Sequence, residues 1–445
     1  MGAKTLPPPP DVEDSKVVAS QRVAVRTLGD WLEYIDRVHP RDIEMGLQRV
    51  AEVALEMNLL PVAKCSVIVA GTNGKGSTCV ATEAVLGGLG WRVGTTISPH
   101  ISSFNERIRV GSETCDDVLL CEGFNAIEVA RGHTPLTYFE FSALLALYCF
   151  KRAEVDVAIL EVGLGGRLDA FNIVDADIAI VTSIGLDHMD YLGANEELIG
   201  AEKAGVFRQR QEVVLGPQVS QSVIDRAAAL DCVVFRYGRD FSSQPGADAA
   251  HWRYASGAIE PFELPRGGLA PLNCALGIQA ATLVHAKLSG SVPLAGVVAS
   301  AMDHAMLAGR MEQICVGQRN YLLDVAHNPA AARFLAEEIA VLYPGRRLTA
   351  LFGSLRDKDS RGVVEGLSAV VKQWIAIDLP GNRGLSADEL KGRLPKSIDC
   401  LAAGAISVGL GFAHSATDPG DVILVCGSFA VVDTIRSGLQ DWTPA

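Results

Sequence analysis

The segment KCSVIVAGTNGKGST, residues 64–78, runs from an apolar stretch through a glycine-rich loop into a helical pattern. Lys64–Ala70 predicts a buried strand, and Ser77–Leu89 predicts a helix that ends at Gly90. Short apolar runs such as Trp91–Ile97 then alternate with further helical patterns. This alternation is typical of a mostly parallel sheet flanked by helices, so the segment predicts an α/β fold.

The predicted strands form two series that are separated by a boundary near residues 303–310. Residues 238–268 interrupt the first series and predict irregular structure or short antiparallel strands. We expect a mobile tail at residues 1–20, a P-loop-type domain at 21–305, and a smaller Rossmann-like α/β domain at 306–445. The remaining predicted strands, in chain order, are Asp156–Val162, Asp177–Ile184, Glu212–Leu215, Val233–Tyr237, Tyr321–Val325, Leu348–Phe352, Gln373–Ile377 and Val422–Cys426.

Composition excludes several classes of protein. The chain has 445 residues, of which 49% are hydrophobic and 20% charged, so it can bury a large core. Its net charge of −13 argues against a nucleic-acid partner. No apolar stretch reaches the ~18–20 residues that cross a membrane, and the N-terminal MGAKTLPPPPDVEDSK has no apolar signal region. Ten cysteines without a C-x-x-C pair suggest reduced thiols. We expect a cytoplasmic protein and a monomer.

The loop has the residues needed for phosphate binding. Its glycines allow close backbone approach, Lys75 can reach a terminal phosphate, and Ser77 can offer a hydroxyl to Mg²⁺. The loop resembles a P-loop, although Val69 stands in place of the first glycine and Gly76 separates Lys75 from Ser77. A glycine-rich turn without a ligand is the alternative. The position between a strand and a helix favours nucleotide binding.

Polar residues stand at the carboxyl ends of the neighbouring strands, where open α/β sheets bind ligands. Ser98 follows one predicted strand, Glu161 lies near the end of another, and His188 follows a third. A hydroxyl, a carboxylate and an imidazole therefore converge beside the loop, and they predict a shell for a nucleotide-bound Mg²⁺. Taken singly, each residue is more often a hydrogen-bonded strand end, and imidazole is an unusual ligand for so hard a cation.

A series of motifs extends this interpretation along the chain. They are GTNGKGS (Gly71–Ser77), SPH (Ser98–His100), TYFEF (Thr137–Phe141), EVGLGGRLDA (Glu161–Ala170), DHMDYLG (Asp187–Gly193), EKAGVF (Glu202–Phe207), GRME (Gly309–Glu312), LDVAHNP (Leu323–Pro329) and VCGSF (Val425–Phe429). In this order they resemble the folylpolyglutamate synthases of the Mur ligase family, and most closely the bacterial bifunctional branch that also acts as dihydrofolate synthase. The resemblance extends from about Trp31 to Val432. It implies a ligase that uses ATP to add L-glutamate to 7,8-dihydropteroate and to reduced folates through an acyl phosphate, releasing ADP and phosphate.

The resemblance also implies which residues bind ATP and two Mg²⁺ ions. ATP would contact Thr72, Asn73, Gly74, Lys75, Gly76, Ser77, Asn273, Arg310 and Asp324. The ions would be held by Ser77, Ser98, Glu161, His188 and a carbamylated Lys203. Addition of CO₂ would remove the charge of Lys203 and supply two oxygen ligands. Without the resemblance, Asn273 would be a helix cap, Arg310 a surface charge and Lys203 part of an exposed helical turn.

The organic substrates are assigned by the same resemblance. The pterin would contact Asp42, Ile43, Glu44, Met45, Phe139, Leu168, Asp169 and Ala170. Glu44 could accept hydrogen bonds from the pterin edge, and Phe139 could cover its face. Asp42 and Glu44 replace the Thr and the shorter Asp of the family pattern, and the alternative is that Asp42 caps a helix through Glu44–Glu56.

Three residues are expected to act in catalysis, namely Lys75, Lys203 and His327, while Ser428 would contact the incoming glutamate. For His327 and Ser428 the alternative is a strand-end hydrogen bond. Three other functions remain open: a folylpolyglutamate synthase without the dihydropteroate activity, a Mur-type ligase acting on a cell-wall precursor, and a nucleotide-dependent switch without ligase activity. ADP release that requires an amino acid would exclude the switch.

Overall fold

Three β-sheets organise the part of the chain that the computed structural model describes, residues 26–39, 43–346 and 348–441. The first sheet has eight strands in the order β4-β3-β2-β5-β1-β6-β7-β8. From β2 to β8 along this order the pairs are parallel, and β3 and β4 add an antiparallel edge. Its strands are β1 (Cys65–Ala70), β2 (Val93–Thr96), β3 (Ile108–Val110), β4 (Glu113–Thr114), β5 (Val157–Glu161), β6 (Ile178–Val181), β7 (Glu212–Leu215) and β8 (Val233–Arg236).

Helices cover both faces of this sheet, which explains why its central strand is buried throughout. Every residue of β1 is buried. The helices of this N-terminal unit are α1 (Leu28–Val38), α2 (Gln48–Glu56), α3 (Lys75–Gly88), α4 (Asp117–Arg131), α5 (Tyr138–Arg152), α6 (Met189–Leu192), α7 (Glu196–Lys203), α8 (Gln221–Ala229), α9 (Pro271–Ser289) and α10 (Ala295–Met302). Helices α3 and α9 pack closely at Gly277, which has no side chain. A Cβ added there would lie only 2.6 Å from the Cβ of Ala81.

A small antiparallel sheet follows, with the order β11-β10-β9. Its strands are β9 (Phe241–Pro245), β10 (His251–Ser256) and β11 (Phe262–Pro265). Tyr254 of β10 is buried and donates a hydrogen bond of 3.0 Å to Gln279 of α9. This region matches the predicted short antiparallel strands, and it packs on the same helix that supports the first sheet.

The C-terminal unit consists of a six-stranded sheet and its helices. The sheet has the order β12-β13-β17-β14-β15-β16, and only the edge pair of β12 with β13 is antiparallel. Its elements are β12 (Glu312–Val316), β13 (Arg319–Leu323), α11 (Pro329–Leu342), β14 (Leu348–Phe352), α12 (Ser360–Leu367), β15 (Val371–Ile377), α13 (Ala387–Arg393), β16 (Cys400–Gly404), α14 (Ile406–Ala416), β17 (Val422–Cys426) and α15 (Phe429–Asp441).

The predicted α/β class is confirmed, with differences at particular elements. Helix α3 begins at Lys75, two residues earlier than predicted, directly after Gly74, whose φ is 82°. Helix α2 begins at Gln48 with Leu47 as its N-cap. The alternative in which Asp42 caps a helix through Glu44–Glu56 is therefore wrong about where the helix starts, and Asp42 itself lies outside the described residues.

The predicted domain limits, at residues 20–21 and 305–306, remain a prediction, and the tail at residues 1–20 lies outside the described part of the chain. Among the described helices, none has both the length and the apolar character needed to cross a membrane.

Candidate active site

A cavity of about 580 Å³ lies between the two large sheets, at the carboxyl ends of their parallel strands. Gly71 follows β1, Asp324 follows β13 and Gly427 follows β17, and all three line it. Of the residues with a predicted role, those that line the cavity are Thr72, Asn73, Gly74, Lys75, Gly76, Ser77, Ser98, Glu161, His188, Lys203, Asn273, Arg310, Asp324, His327 and Ser428. The structure therefore brings together the residues predicted for ATP, metal, catalysis and glutamate.

Two glycines give the phosphate loop its shape. Gly71 has a φ of 149°, and a Cβ added there would lie 1.9 Å from Oγ1 of Thr182. Gly74 has a φ of 82°, and its added Cβ would lie 2.4 Å from Oδ1 of Asn273. A side chain at either position would therefore clash and strain the backbone. Asn273 is the third residue of α9, whose N-cap is Ala270, so the alternative of a helix cap is wrong for Asn273.

Two lysines converge on this loop. Lys75 begins α3 and donates to the carbonyl oxygens of Gly71 at 3.1 Å and Thr72 at 3.3 Å. Lys203 donates to the same Gly71 oxygen at 2.9 Å. Lys203 is only 5% exposed, which overturns the alternative of an exposed turn. Burial and then the charge of Lys75 lower the pKa of Lys203 to about 7, so much of it is an uncharged amine near neutral pH.

Oxygen ligands for a divalent cation surround the end of β5. Glu161 is 3% exposed, and its Oε2 accepts a hydrogen bond of 2.7 Å from the N–H of Ser98. Burial raises the pKa of Glu161, while Lys75 opposes the rise. Ser77 lies in the first turn of α3, also buried. A buried carboxylate with two hydroxyls beside it suits Mg²⁺, because this ion prefers oxygen ligands and keeps positions for phosphate and water.

His188, the remaining unmodified residue of the predicted metal-ligand set, is more exposed than Glu161. His188 is half-exposed with a φ of 51°, and its Nε2 lies 4.0 Å from Oδ2 of Asp187. No three His, Cys, Asp or Glu side chains within the described ranges cluster as a preformed metal site. The predicted ligand set, which takes only Glu161 and His188 from those four residue types, remains a prediction.

The C-terminal unit supplies the opposite wall. The guanidinium of Arg310 lies 4.9 Å from the ring centre of Phe429, so Arg310 is not the surface charge that its isolated sequence would suggest. Asp324 accepts backbone hydrogen bonds from Met311 at 3.0 Å and Ala326 at 2.9 Å. Burial raises the pKa of Asp324, and Arg310 opposes the rise. Arg310 and Asp324 therefore bring a positive and a negative side chain to the cavity that the phosphate loop also lines.

His327 and Ser428 keep local hydrogen bonds while lining the cavity. Nδ1 of His327 lies 2.9 Å from the carbonyl oxygen of Val325. Oγ of Ser428 accepts a hydrogen bond of 3.2 Å from the N–H of Val431 at the start of α15. Their geometry is compatible with both the functional and the strand-end interpretations.

Sequence reasoning missed Lys358, a cavity-lining lysine of the C-terminal unit. Its Nζ lies 3.0 Å from Oδ1 of Asp187. Burial alone would raise the pKa of Asp187, but His327 and Lys358 hold that pKa well below its usual range. The rule that polar residues after parallel strands face a ligand also applies to the turn after β14, and it could have identified Lys358.

None of the described residues of the predicted pterin site lines the cavity. One oxygen of Glu44 is 2.7 Å from Nη1 of Arg49. Asp169 accepts backbone N–H groups of Gly163, Leu164 and Phe171 at 2.9–3.0 Å, and burial raises its pKa to about 6. Both carboxylates therefore bind groups of the protein itself. The remaining described members of the set are Ile43, Met45, Phe139, Leu168 and Ala170.

Two of these residues touch the wall of the cavity from behind. A Cβ added at Gly163 would lie 2.4 Å from the ring of Phe139, and one added at Gly165 would lie 3.1 Å from Cε of Met45. Because Gly163 and Gly165 line the cavity, Phe139 and Met45 adjoin it through this glycine-rich wall.

Comparison with known proteins gives the same relationship over nearly the whole chain. The Mur ligase middle domain matches residues 69–254, and the Mur ligase glutamate ligase domain matches residues 309–429. The dihydrofolate synthase/folylpolyglutamate synthase of Escherichia coli (strain K12) is 39% identical over 425 residues, covering 93% of this chain and 98% of that protein.

Solved structures agree. E. coli FolC in complex with DHPP and ADP superposes with a TM-score of 0.87 at 36% identity, covering 94% of this chain and 98% of the other. The bifunctional folylpolyglutamate synthase/dihydrofolate synthase from Yersinia pestis, complexed with AMPPNP and Mn ion, has a TM-score of 0.84 at 38% identity, covering 93% and 98%. Because the identity is high and extends through both Mur ligase domains, the chain belongs to the dihydrofolate synthase/folylpolyglutamate synthase family of Mur ligases.

Proposed function

We propose that the cavity between the two parallel sheets is where this chain activates a carboxylate with ATP and joins it to L-glutamate. The chain is an ATP-dependent, ADP-forming ligase that adds L-glutamate to 7,8-dihydropteroate and to reduced folates. The observation that supports the site is the meeting of the phosphate loop and Glu161 with Arg310, Asp324 and His327 in one cavity. The phosphate loop and Glu161 belong to the N-terminal unit, and Arg310, Asp324 and His327 belong to the C-terminal unit.

The first half of the reaction needs neutralisation of phosphate charge. The substrate carboxylate attacks the γ-phosphate of ATP to give an acyl phosphate and ADP, and negative charge develops on the transferred group. Lys75 and the backbone N–H groups at the start of α3 would offset that charge. The amine of L-glutamate then attacks the acyl phosphate and releases inorganic phosphate.

We assign the divalent ions, expected to be two Mg²⁺, to Ser77, Ser98, Glu161, His188 and a carbamylated Lys203. The ions would neutralise phosphate oxygens and orient the γ-phosphate. Burial of Lys203 beside Lys75 supports the carbamate, because the modification would replace a second buried positive charge with oxygen ligands. The position of Glu161 in the cavity wall supports the assignment of the first ion to this side chain.

The other substrates are assigned from the walls of the cavity. Asn273, Arg310 and Asp324 would hold the nucleotide, and His327 and Ser428 would place phosphate and the incoming glutamate. The pterin would bind beside Gly163 and Gly165, where Met45 and Phe139 adjoin the wall, together with Asp42, Ile43, Glu44, Leu168, Asp169 and Ala170. Closing the two units around these groups would exclude water from the acyl phosphate.

The test measures ADP release and the mass of the product. The purified chain is incubated with Mg-ATP, L-glutamate and either 7,8-dihydropteroate or tetrahydrofolate, and both acceptors should gain glutamate. Extension of tetrahydrofolate alone would leave a folylpolyglutamate synthase, and glutamate-independent ADP release would indicate a nucleotide switch.

A pair of lysine variants locates the reaction in the cavity. Lys75→Ala should abolish ligation. Lys64→Ala should not, because the Lys64 side chain is 70% exposed and pairs with Asp156 at the opposite end of β1. Equal activity of the two variants would place the nucleotide elsewhere.

A cytoplasmic location and a monomeric state are further parts of the proposal. All ten cysteines are free, which fits a reducing compartment. Cell fractionation and light scattering of the purified chain test these two points.

A further inference from the structure

One carboxylate connects the two units across the cavity. Asp187, in the loop after β6, has Lys358 Nζ at 3.0 Å from Oδ1 and Asn328 Nδ2 at 3.3 Å from Oδ2. His327 Nε2 lies 3.7 Å from Oδ2. The side chains of Asp187 and Lys358 are only 14% and 13% exposed. Water therefore screens the attraction between Asp187 and Lys358 less than it screens the exposed ion pairs of the surface.

The same network reaches the phosphate loop. Asn73 and Asn328 exchange two side-chain hydrogen bonds, of 3.2 and 3.0 Å. Thr72 Oγ1 accepts a bond of 3.1 Å from the N–H of Gly185 in the loop that carries Asp187. Oδ1 of Asn328 also accepts the N–H of Ala331 at 2.8 Å and so caps α11. Movement of either the phosphate loop or the start of α11 would break this network.

Lys358 is directed into the cavity by its turn. The turn connects β14 to α12, and the N–H of Lys358 donates to the carbonyl of Leu355 at 3.2 Å. The neighbouring cations Arg356 and Arg361 instead pair with Glu389 and Glu365 in exposed positions. Of these three cations, Lys358 is therefore the one whose ion pair reaches the N-terminal unit.

We propose that Lys358 and Asn328 are positioning residues that hold the C-terminal unit over the occupied phosphate loop through Asp187 and Asn73. This inference rests on the proposed ligase function. Arg310 and His327 belong to the unit that is held, so losing the contact would misplace the groups that act on the acyl phosphate and glutamate. The loop itself belongs to the N-terminal unit, and ATP binding should depend less on Lys358.

Steady-state kinetics of three variants test the proposal. Lys358→Met should lower kcat/KM for L-glutamate by about tenfold or more, since it leaves the shielded Asp187 charge without its cation. Its KM for ATP should change by no more than about threefold, a much smaller effect. Lys358→Arg should recover most of the loss because it keeps the charge. The matched control, Arg361→Met, removes an exposed cation nearby and should behave as the unmodified chain.

A double-mutant cycle and a shape measurement separate positioning from general destabilisation. If Asp187→Asn and Lys358→Met act through one contact, the double variant should be about as active as the less active of the two single variants. Small-angle scattering with AMPPNP and Mg²⁺ should give a larger radius of gyration for Lys358→Met than for Arg361→Met. The double variant removes both charges, so it provides the scattering result if Lys358→Met fails to fold.

The outcomes distinguish this inference from the function on which it rests. Losses that multiply in the double variant, or Lys358→Met behaving as Arg361→Met in an active enzyme, would overturn the positioning role alone. Absence of glutamate-dependent ADP release from the unmodified chain would overturn the proposed function. In that case the scattering comparison still decides whether Lys358 holds the units together.

Discussion

Replacing Lys203 with methionine should abolish ligation and stabilise the fold at neutral pH. The Lys203 ammonium is buried beside Lys75, which places two like charges near one carbonyl oxygen. Methionine has a similar length and no charge, so it removes the desolvation and the repulsion together. It also loses the hydrogen bond to Gly71, which contributes about 1 kcal/mol.

The magnitude follows from the pKa of Lys203, about 7 in the folded chain against its ordinary value of 10.5. Each pKa unit corresponds to about 1.4 kcal/mol, so the charged lysine destabilises the fold by on the order of 5 kcal/mol below pH 7. Between pH 7 and 10.5 the unfolded chain binds a proton that the folded chain has lost. The free energy of unfolding therefore rises with pH in this window, and the destabilisation disappears as pH approaches 10.5.

The assay is urea unfolding followed by circular dichroism, in CO₂-free buffer with EDTA, at pH 7.5 and pH 9. The stability advantage of Lys203→Met over the unmodified chain should shrink by about 2 kcal/mol between these pH values. Lys64→Met, which changes an exposed lysine, should follow the unmodified chain at both. Parallel pH dependences for Lys203→Met and the unmodified chain would refute the burial of a titrating lysine at this position.

Other substitutions test separate parts of the site. Lys75→Ala should lower kcat roughly a hundredfold or more while leaving the thermal unfolding temperature near that of the unmodified chain. Glu161→Gln should raise the Mg²⁺ concentration for half-maximal activity by about tenfold or more, and a manganese titration followed by electron paramagnetic resonance checks the same loss. Gly74→Ala should destabilise the fold by about 1 kcal/mol from its left-handed φ, and should raise the KM for ATP by displacing Asn273. Arg49→Met should release the Glu44 loop and raise the KM for dihydropteroate, with no change in the KM for ATP.

In the C-terminal sheet, the interior strands were predictable and the two edge strands were not. Strands β14 and β17 are buried at every residue, and in the sequence they are apolar runs interrupted at one position, Thr349. Strands β12 (EQICV) and β16 (CLAAG) lie at the edges of the same sheet and are partly exposed; β12 begins with two polar residues, and β16 is made of small residues apart from Leu401. Their pairing depends on the neighbouring strand, which a local pattern does not contain.

The sequence by itself determined the α/β class, the phosphate loop and the convergence of Ser98 and Glu161 beside Lys75. Spacing and strand order suffice for these, because the carboxyl ends of adjacent parallel strands meet at one sheet edge. Only the tertiary structure decided that Lys203 is buried, that Arg49 pairs with Glu140, and that Asp187 meets a lysine 171 residues later in the chain. Burial and long-range ion pairs arise from how separate elements dock, and no local run of residues encodes that docking.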